Sequence, residues 1–86
     1  MFEFDPKKSE LNRIKHGIDF NQAKQLWDDP NRIVIPAKTV DEKRFLLIAK
    51  FNQSIWSAIF TIRNDITRII SVRKSRENER AIYYSS

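Results

Sequence analysis

The chain has 86 residues, 41% of them hydrophobic and 12% aromatic, a composition that folds into one domain spanning residues 1–86 with a modest core. With no Cys it lacks disulfide scaffolds, zinc ribbons and thiol nucleophiles, and a single His argues against a histidine metal cluster. Sixteen Lys and Arg against 11 Asp and Glu give a net charge of +5, which favours polyanionic partners, and the absence of a long apolar run or a signal-peptide opening in Met1–Pro6 gives a cytoplasmic expectation with no membrane partner.

In chain order, Phe2 and Phe4 alternate with Glu3 as a short strand does. Asp5 then reads as an N-cap with Pro6 at the first helical position, and a helix follows to Lys15-His16. Leu11 and Ile14 supply its narrow apolar stripe. Gly17, the only glycine, sits at the left-handed position that ends it. A second helix starts at Asp19, with Gln22 completing a capping box. Phe20, Ala23, Leu26 and Trp27 form its apolar face, and Asp28-Asp29-Pro30-Asn31 stops it.

The period then changes to that of strands. Arg32–Ile35 is a short β-branched run ended by Pro36. Lys43–Phe51 and Ser54–Arg63 follow, joined by a two-residue turn at Asn52-Gln53. Ile66–Arg73 follows a second turn at Asn64-Asp65. Residues 55–62 are apolar on both faces, as in a central strand, and Trp27 and Trp56 read as core. Ser75 caps a short final helix reaching Tyr84, with one of Tyr83 and Tyr84 packed and the other exposed. The expected fold class is α+β: two N-terminal helices and a short C-terminal helix against one face of an antiparallel sheet, the other face left to solvent or a partner.

Strict alternation along Ile66–Arg73 sends Ile66, Arg68, Ile70 and Val72 to one side and Thr67, Ile69, Ser71 and Arg73 to the other. From Ile66 to Arg76 there are four basic residues, Arg68, Arg73, Lys74 and Arg76, and no acid; Arg63 lies just before them. Guanidinium forks match phosphate oxygens and a lysine adds a point charge, so Arg63, Arg68, Lys74 and Arg76 are candidate RNA-binding residues. Read without chemistry, the same stretch is a solvated strand end. Histidine is the side chain that titrates near neutrality, and His16 could move protons between a 2′-hydroxyl and a leaving 5′-oxygen, or simply cap helix carbonyls beside Gly17. Glu42, Glu77 and Glu79 are either bases or, more simply, partners that hold arginines. No phosphate-binding glycine loop and no carboxylate cluster at metal-ligand spacing is present, so neither metal nor cofactor is expected.

Several pieces in order resemble the BrnT-type toxins: Phe2-Glu3-Phe4-Asp5, then Asn12 through Phe20 with its K-H-G-x-x-F core at Lys15 to Phe20, and Ala23. Glu42-Lys43-Arg44 is similar to that family's E-x-R element, and Arg68 to Ser75 followed by Glu79 and Tyr83 to its R-I-I-S-x-R ending. The chain departs from the family in having Phe4 for Trp, Asn21-Gln22 for an acidic pair, Val72 for Ala and no glycine near Lys50–Gln53. The resemblance implies a RelE-like fold, metal-free RNA cleavage as a type II toxin, and a ribbon-helix-helix antitoxin of the BrnA type. That antitoxin would carry any contact with operator DNA, with a toxin–antitoxin heterotetramer as the implied assembly. The carried-over catalytic candidates are Lys15, His16, Arg44, Arg73, Glu79 and Tyr83, with Arg68 positioning. A non-catalytic nucleic-acid or protein binding module, or a degenerate toxin kept for its regulatory complex, is the alternative.

Overall fold

A computed structural model describes residues 1–38 and 41–86. The elements are β1 (Phe2–Glu3), α1 (Pro6–His16), α2 (Phe20–Ala23) continued by a 3₁₀ turn at Lys24–Asp28, β2 (Ile33–Ala37), β3 (Arg44–Phe51), β4 (Ser54–Arg63), β5 (Ile66–Lys74) and α3 (Glu77–Ser85). The α+β class is as expected, and β4 lies in the middle of the five-stranded order β1-β5-β4-β3-β2. Both turns adopt the positive φ that their Asn, Gln and Asp residues were expected to accept, at Asn52, Gln53, Asn64 and Asp65.

Several expectations need correction. The sheet is mixed, because β1 runs parallel to β5 in the register Phe2↔Thr67 and Glu3↔Arg68, supported by Thr67 N–H donating to the Met1 carbonyl at 3.0 Å. β2–β5 form the expected antiparallel meander. The second correction concerns the helices, which lie on both faces. Leu47 and Ala49 of β3 join Phe20, Ala23 and Leu26 in the main core, whereas Ile48 packs with Ile55 and Tyr83 of α3. Alternation along a strand sends these two sets to opposite sides. A central strand that is apolar on both faces needs cover on both, and α3 supplies it over part of the second face. The second helix is also shorter than expected, one α-helical turn before the 3₁₀ segment, and β2 runs through Pro36, as an outermost strand allows.

The third correction is to α1. Leu11 and Ile14 do not pack; they are 63% and 67% exposed. The helix turns a polar face to the domain instead. Asn12, buried, donates from Nδ2 to the Ile18 carbonyl at 2.8 Å and accepts at Oδ1 from the Val72 N–H at 3.1 Å. Ser9 Oγ accepts from the Phe20 N–H at 2.9 Å. The helix therefore docks by satisfying backbone groups that would otherwise be orphaned. Finally, Ser75 is not the cap of α3; it is buried against Ser57, and Arg76 occupies the cap position.

The caps of α1 and α2 are as expected. Asp5 accepts from the Lys7 N–H, and Asp19 and Gln22 make the reciprocal capping box. Gly17 closes α1 at φ +80°, its N–H donating to the Arg13 carbonyl at 2.9 Å. A Cβ at this position would meet no atom within 4 Å, so any cost of substitution is conformational. Gly17→Val is therefore expected to lose about 1–2 kcal/mol in urea unfolding, and Gly17→Asn clearly less. Equal losses for the two would show that the left-handed backbone is not the cause.

An aromatic row spans the main core. Phe2 meets Trp27 edge-on at 5.0 Å, Trp27 meets Phe60 at 5.2 Å, and Phe60 stacks on Phe45 at 5.3 Å. Such pairs contribute roughly 0.5–1.5 kcal/mol each beyond their burial, and this row ties β1, the 3₁₀ turn, β4 and β3 together.

Candidate active site

The β4–β5 ladder contains one irregularity, and it decides where charge goes. Ser71 pairs with Ile59 and Ile69 pairs with Phe60, so Ile70 is an extra residue with no partner, a β-bulge. The alternation expected for this strand is corrected accordingly. Ile69 and Val72, three apart, both enter the main core. Arg68, Ser71 and Arg73 consequently share the opposite face.

That face is only partly covered. Tyr83 of α3 sits on Ile48 and Ile55, with Ile33 and Leu46 at its margin, and Glu79 reaches Ser57. Beyond α3 the floor is apolar and half-buried, formed by Ile35, Leu46 and Ile59. Around it stand Arg44, Arg63, Arg68 and Arg73, all placed on this side by strand alternation.

Three of these arginines are held by acids. Arg63 donates from Nε and Nη2 to Glu42 at 3.0 and 2.8 Å, and Arg68 from Nη1 to Glu3 at 3.0 Å. The Arg63 hydrogen bonds hold the Glu42 carboxyl below its usual range, and the charges of Arg44 and Arg68 lower it further. One carboxylate thus lies in the field of three arginines. Arg44 has no salt bridge among the described residues.

Arg73 is the most constrained. Its Nη1 and Nη2 donate to Glu79 Oε1 and Oε2 at 2.7 and 2.9 Å, and Nη1 also reaches the Lys74 carbonyl at 3.4 Å. A guanidinium has five donors, so two remain for a ligand. Glu79 is 6% exposed and fully engaged, also accepting from Ser57 Oγ at 2.9 Å and the Arg76 N–H at 2.8 Å. The Arg73 hydrogen bonds, helped by those of Arg76 and Ser57, hold its carboxyl at about 2 against the opposing effect of burial. A carboxylate so acidic and so fully bonded is a poor proton acceptor near neutral pH and a good clamp for a guanidinium.

The other candidates fall in different places. Lys15 and His16 line a shallow groove with Lys8, Leu11, Asn12, Ile70 and Ser71. Ser71 and Arg73 are two residues apart on one strand, roughly 7 Å, so this groove adjoins the arginine face across the edge of β5. Tyr83 does not join the cluster. Its hydroxyl donates to Asp29 Oδ2 at 2.7 Å, and burial together with that carboxylate pushes its pKa up to about 12. Asp29 also accepts from the Lys50 and Asn31 N–H groups, so the pair anchors α3 to the sheet. Lys74 leans over the Trp56 ring at 5.9 Å, on the far face from Arg73. The exposed Arg76 contributes its backbone N–H to Glu79. Tyr84 is the exposed tyrosine of the pair and Tyr83 the packed one.

Sequence reasoning missed Asn12, Ser57 and Ser75 as organisers. The signal for Ser57 was a lone polar residue in an otherwise apolar central run. Among the described residues no group of three or more His, Asp or Glu side chains is placed to hold a metal ion.

Four arginines, three of them paired with carboxylates, thus stand around an open apolar floor on one face of the sheet. A family model described as the ribonuclease toxin BrnT of type II toxin–antitoxin systems matches residues 4–79. The chain belongs to this family. A search of curated proteins gave no match.

Proposed function

We propose that the chain, as one toxin domain over residues 1–86, is a metal-independent endoribonuclease with a RelE-like arrangement. It would act in the cytoplasm, cleave RNA to arrest translation and growth, and be neutralised by a ribbon-helix-helix antitoxin of the BrnA type. The observation that carries the reading is the convergence of Arg44, Arg63, Arg68 and Arg73 on the stretch of this sheet face that α3 leaves uncovered. Operator DNA is contacted only through the antitoxin, in a toxin–antitoxin heterotetramer.

In this reading the RNA 2′-hydroxyl attacks the adjacent phosphorus, the bond from phosphorus to the 5′-oxygen breaks, and a cyclic phosphate is left. His16 carries the proton released by the 2′-hydroxyl to the leaving 5′-oxygen. Arg73, Arg44 and Lys15 stabilise charge on the phosphoryl oxygens, and Arg68 positions the strand. Arg63 and Arg76 extend the cationic track, and Lys74, on the other face of β5, adds only to the overall positive field. Glu79 orients Arg73, and Tyr83 keeps α3, and so Glu79, in place.

The test is incubation of the purified protein with RNA, with and without a chelator. Cleavage that persists unchanged under chelation, leaving cyclic-phosphate ends, is the expected result. Cleavage abolished by chelation overturns the metal-free chemistry. Salt-sensitive RNA binding with no products under any condition supports the non-catalytic binding module or degenerate toxin instead.

A further inference from the structure

The exposed side of α1 inverts the usual pattern of an amphipathic helix. Its buried residues are Ser9 and Asn12, while Leu11 and Ile14 point outward. Two large aliphatic side chains three residues apart on one helix form a continuous patch, and Ile70, the bulge residue, extends it across the groove. The patch is ringed by like charge. Lys7, Lys8 and Lys15 are exposed and make no salt bridge among the described residues, and the only acid on the helix, Glu10, is already paired with Arg13. RNA would use the lysines and leave Leu11 and Ile14 in water. A second copy of the chain would bring the same lysines against themselves. An acidic partner with apolar anchors satisfies both features.

We propose that the Leu11–Ile14 face of α1 is the docking surface for an acidic amphipathic helix of the antitoxin, with apolar side chains seated on Leu11, Ile14 and Ile70 and carboxylates on Lys7, Lys8 and Lys15. This rests on the reading of the chain as a neutralised toxin and adds to it where neutralisation acts. The same groove holds Lys15 and His16, so a helix seated there covers both and closes the β5 edge of the cleavage site. Inhibition then needs no movement of the sheet. Helix-in-groove recognition of this kind reads anchors at i, i+3, i+4 and i+7 spacing.

The experiment uses the full chain and its cognate antitoxin. L11Q/I14Q keeps good helix formers at two exposed positions, and K7E/K8E reverses the charge at the helix start. L11Q/I14Q is expected to raise the Kd for the antitoxin at least about 30-fold while RNA cleavage stays within about twofold of the parent. K7E/K8E is expected to raise it at least about fivefold and to flatten its salt dependence. Antitoxin affinity unchanged in both variants overturns the proposal. So does loss of RNA cleavage in folded L11Q/I14Q, which would give the stripe to RNA. So does a dimer in the parent that becomes a monomer in L11Q/I14Q by sedimentation, which would give it to a second copy. A parent chain that binds the antitoxin through this face without cleaving RNA refutes the ribonuclease reading and leaves the docking surface standing.

Discussion

Arg73→Ala is expected to lower RNA cleavage at least about 100-fold, with Arg73→Lys between it and the parent. The charge on lysine can still meet a phosphate, but the planar fork that Glu79 aligns is gone. Stability falls too, because Glu79 is left buried with only Ser57 and the Arg76 N–H as partners. Removing one member of such a pair costs on the order of 2–3 kcal/mol when the arginine is partly solvated, about 10–20 °C in melting temperature for a domain of this size. Cleavage is therefore measured well below the variant's transition, with circular dichroism confirming the fold. A folded Arg73→Ala protein that cleaves at the parent rate removes Arg73 from the site.

The same pair fixes an acid limb of stability. Glu79 titrates at about 2 in the folded chain against an ordinary value of 4.5, chiefly because Arg73 hydrogen-bonds its charged form. A depressed folded-state value contributes stability that is fully present above the unfolded value and lost as pH falls from about 4.5 toward 2. The amount is about 3 kcal/mol. Glu79→Gln should therefore be weaker at neutral pH and much flatter across that acid range. An unaltered acid limb in Glu79→Gln denaturation curves would mean that other carboxylates carry it.

The second large effect is expected at Asn12. Asn12→Ala leaves the Ile18 carbonyl and the Val72 N–H without partners in a buried place, a loss of about 2–4 kcal/mol. The local signature is specific. The Val72 amide, held by a side chain where β5 has no neighbouring strand, should lose its hydrogen-exchange protection far more than amides of β4. If Val72 stays protected in Asn12→Ala, the amide is held by something else and α1 is not what pins this stretch.

Much of the fold was legible because it is local. A helix start at Asp5-Pro6, a stop at Gly17 and tight turns at Asn52-Gln53 and Asn64-Asp65 follow from backbone preferences within four residues of each site. The errors are non-local. Two residues of β1 carry no sign that their partner is Thr67 and Arg68. Hydrophobic periodicity sought an apolar stripe on α1 and found Leu11 and Ile14, whereas the helix is seated by an amide and a hydroxyl that periodicity scores as surface. The site divides the same way. The arginines were visible as an acid-free stretch, but their meeting on one face depends on a bulge that leaves no mark in composition. The acids were readable as partners in kind: Glu79 does clamp Arg73 and Glu42 does clamp Arg63. Tyr83, carried over as a catalytic candidate, lies one turn of α3 beyond Glu79 and spends its hydroxyl on Asp29, which only the path of the chain reveals.

The bulge at Ile70 also bears on how the length of this strand can vary. Arg68 and Arg73 are five residues apart, an odd interval that a regular strand would split between its two sides. Remove Ile70 and the interval becomes four, the ladder closes with Ile69 opposite Phe60 and Ser71 opposite Ile59, and both arginines stay where they are. A one-residue deletion here is therefore silent for the placement of charge, and because residues 69 and 70 are both Ile, losing either one gives the same chain. What a chain lacking Ile70 would surrender is the aliphatic wall facing Leu11, together with the bend of the strand beneath α1. The extra residue thus separates two inheritable properties of β5, which side its charges face and what shape its outer edge presents, and lets the second change without the first.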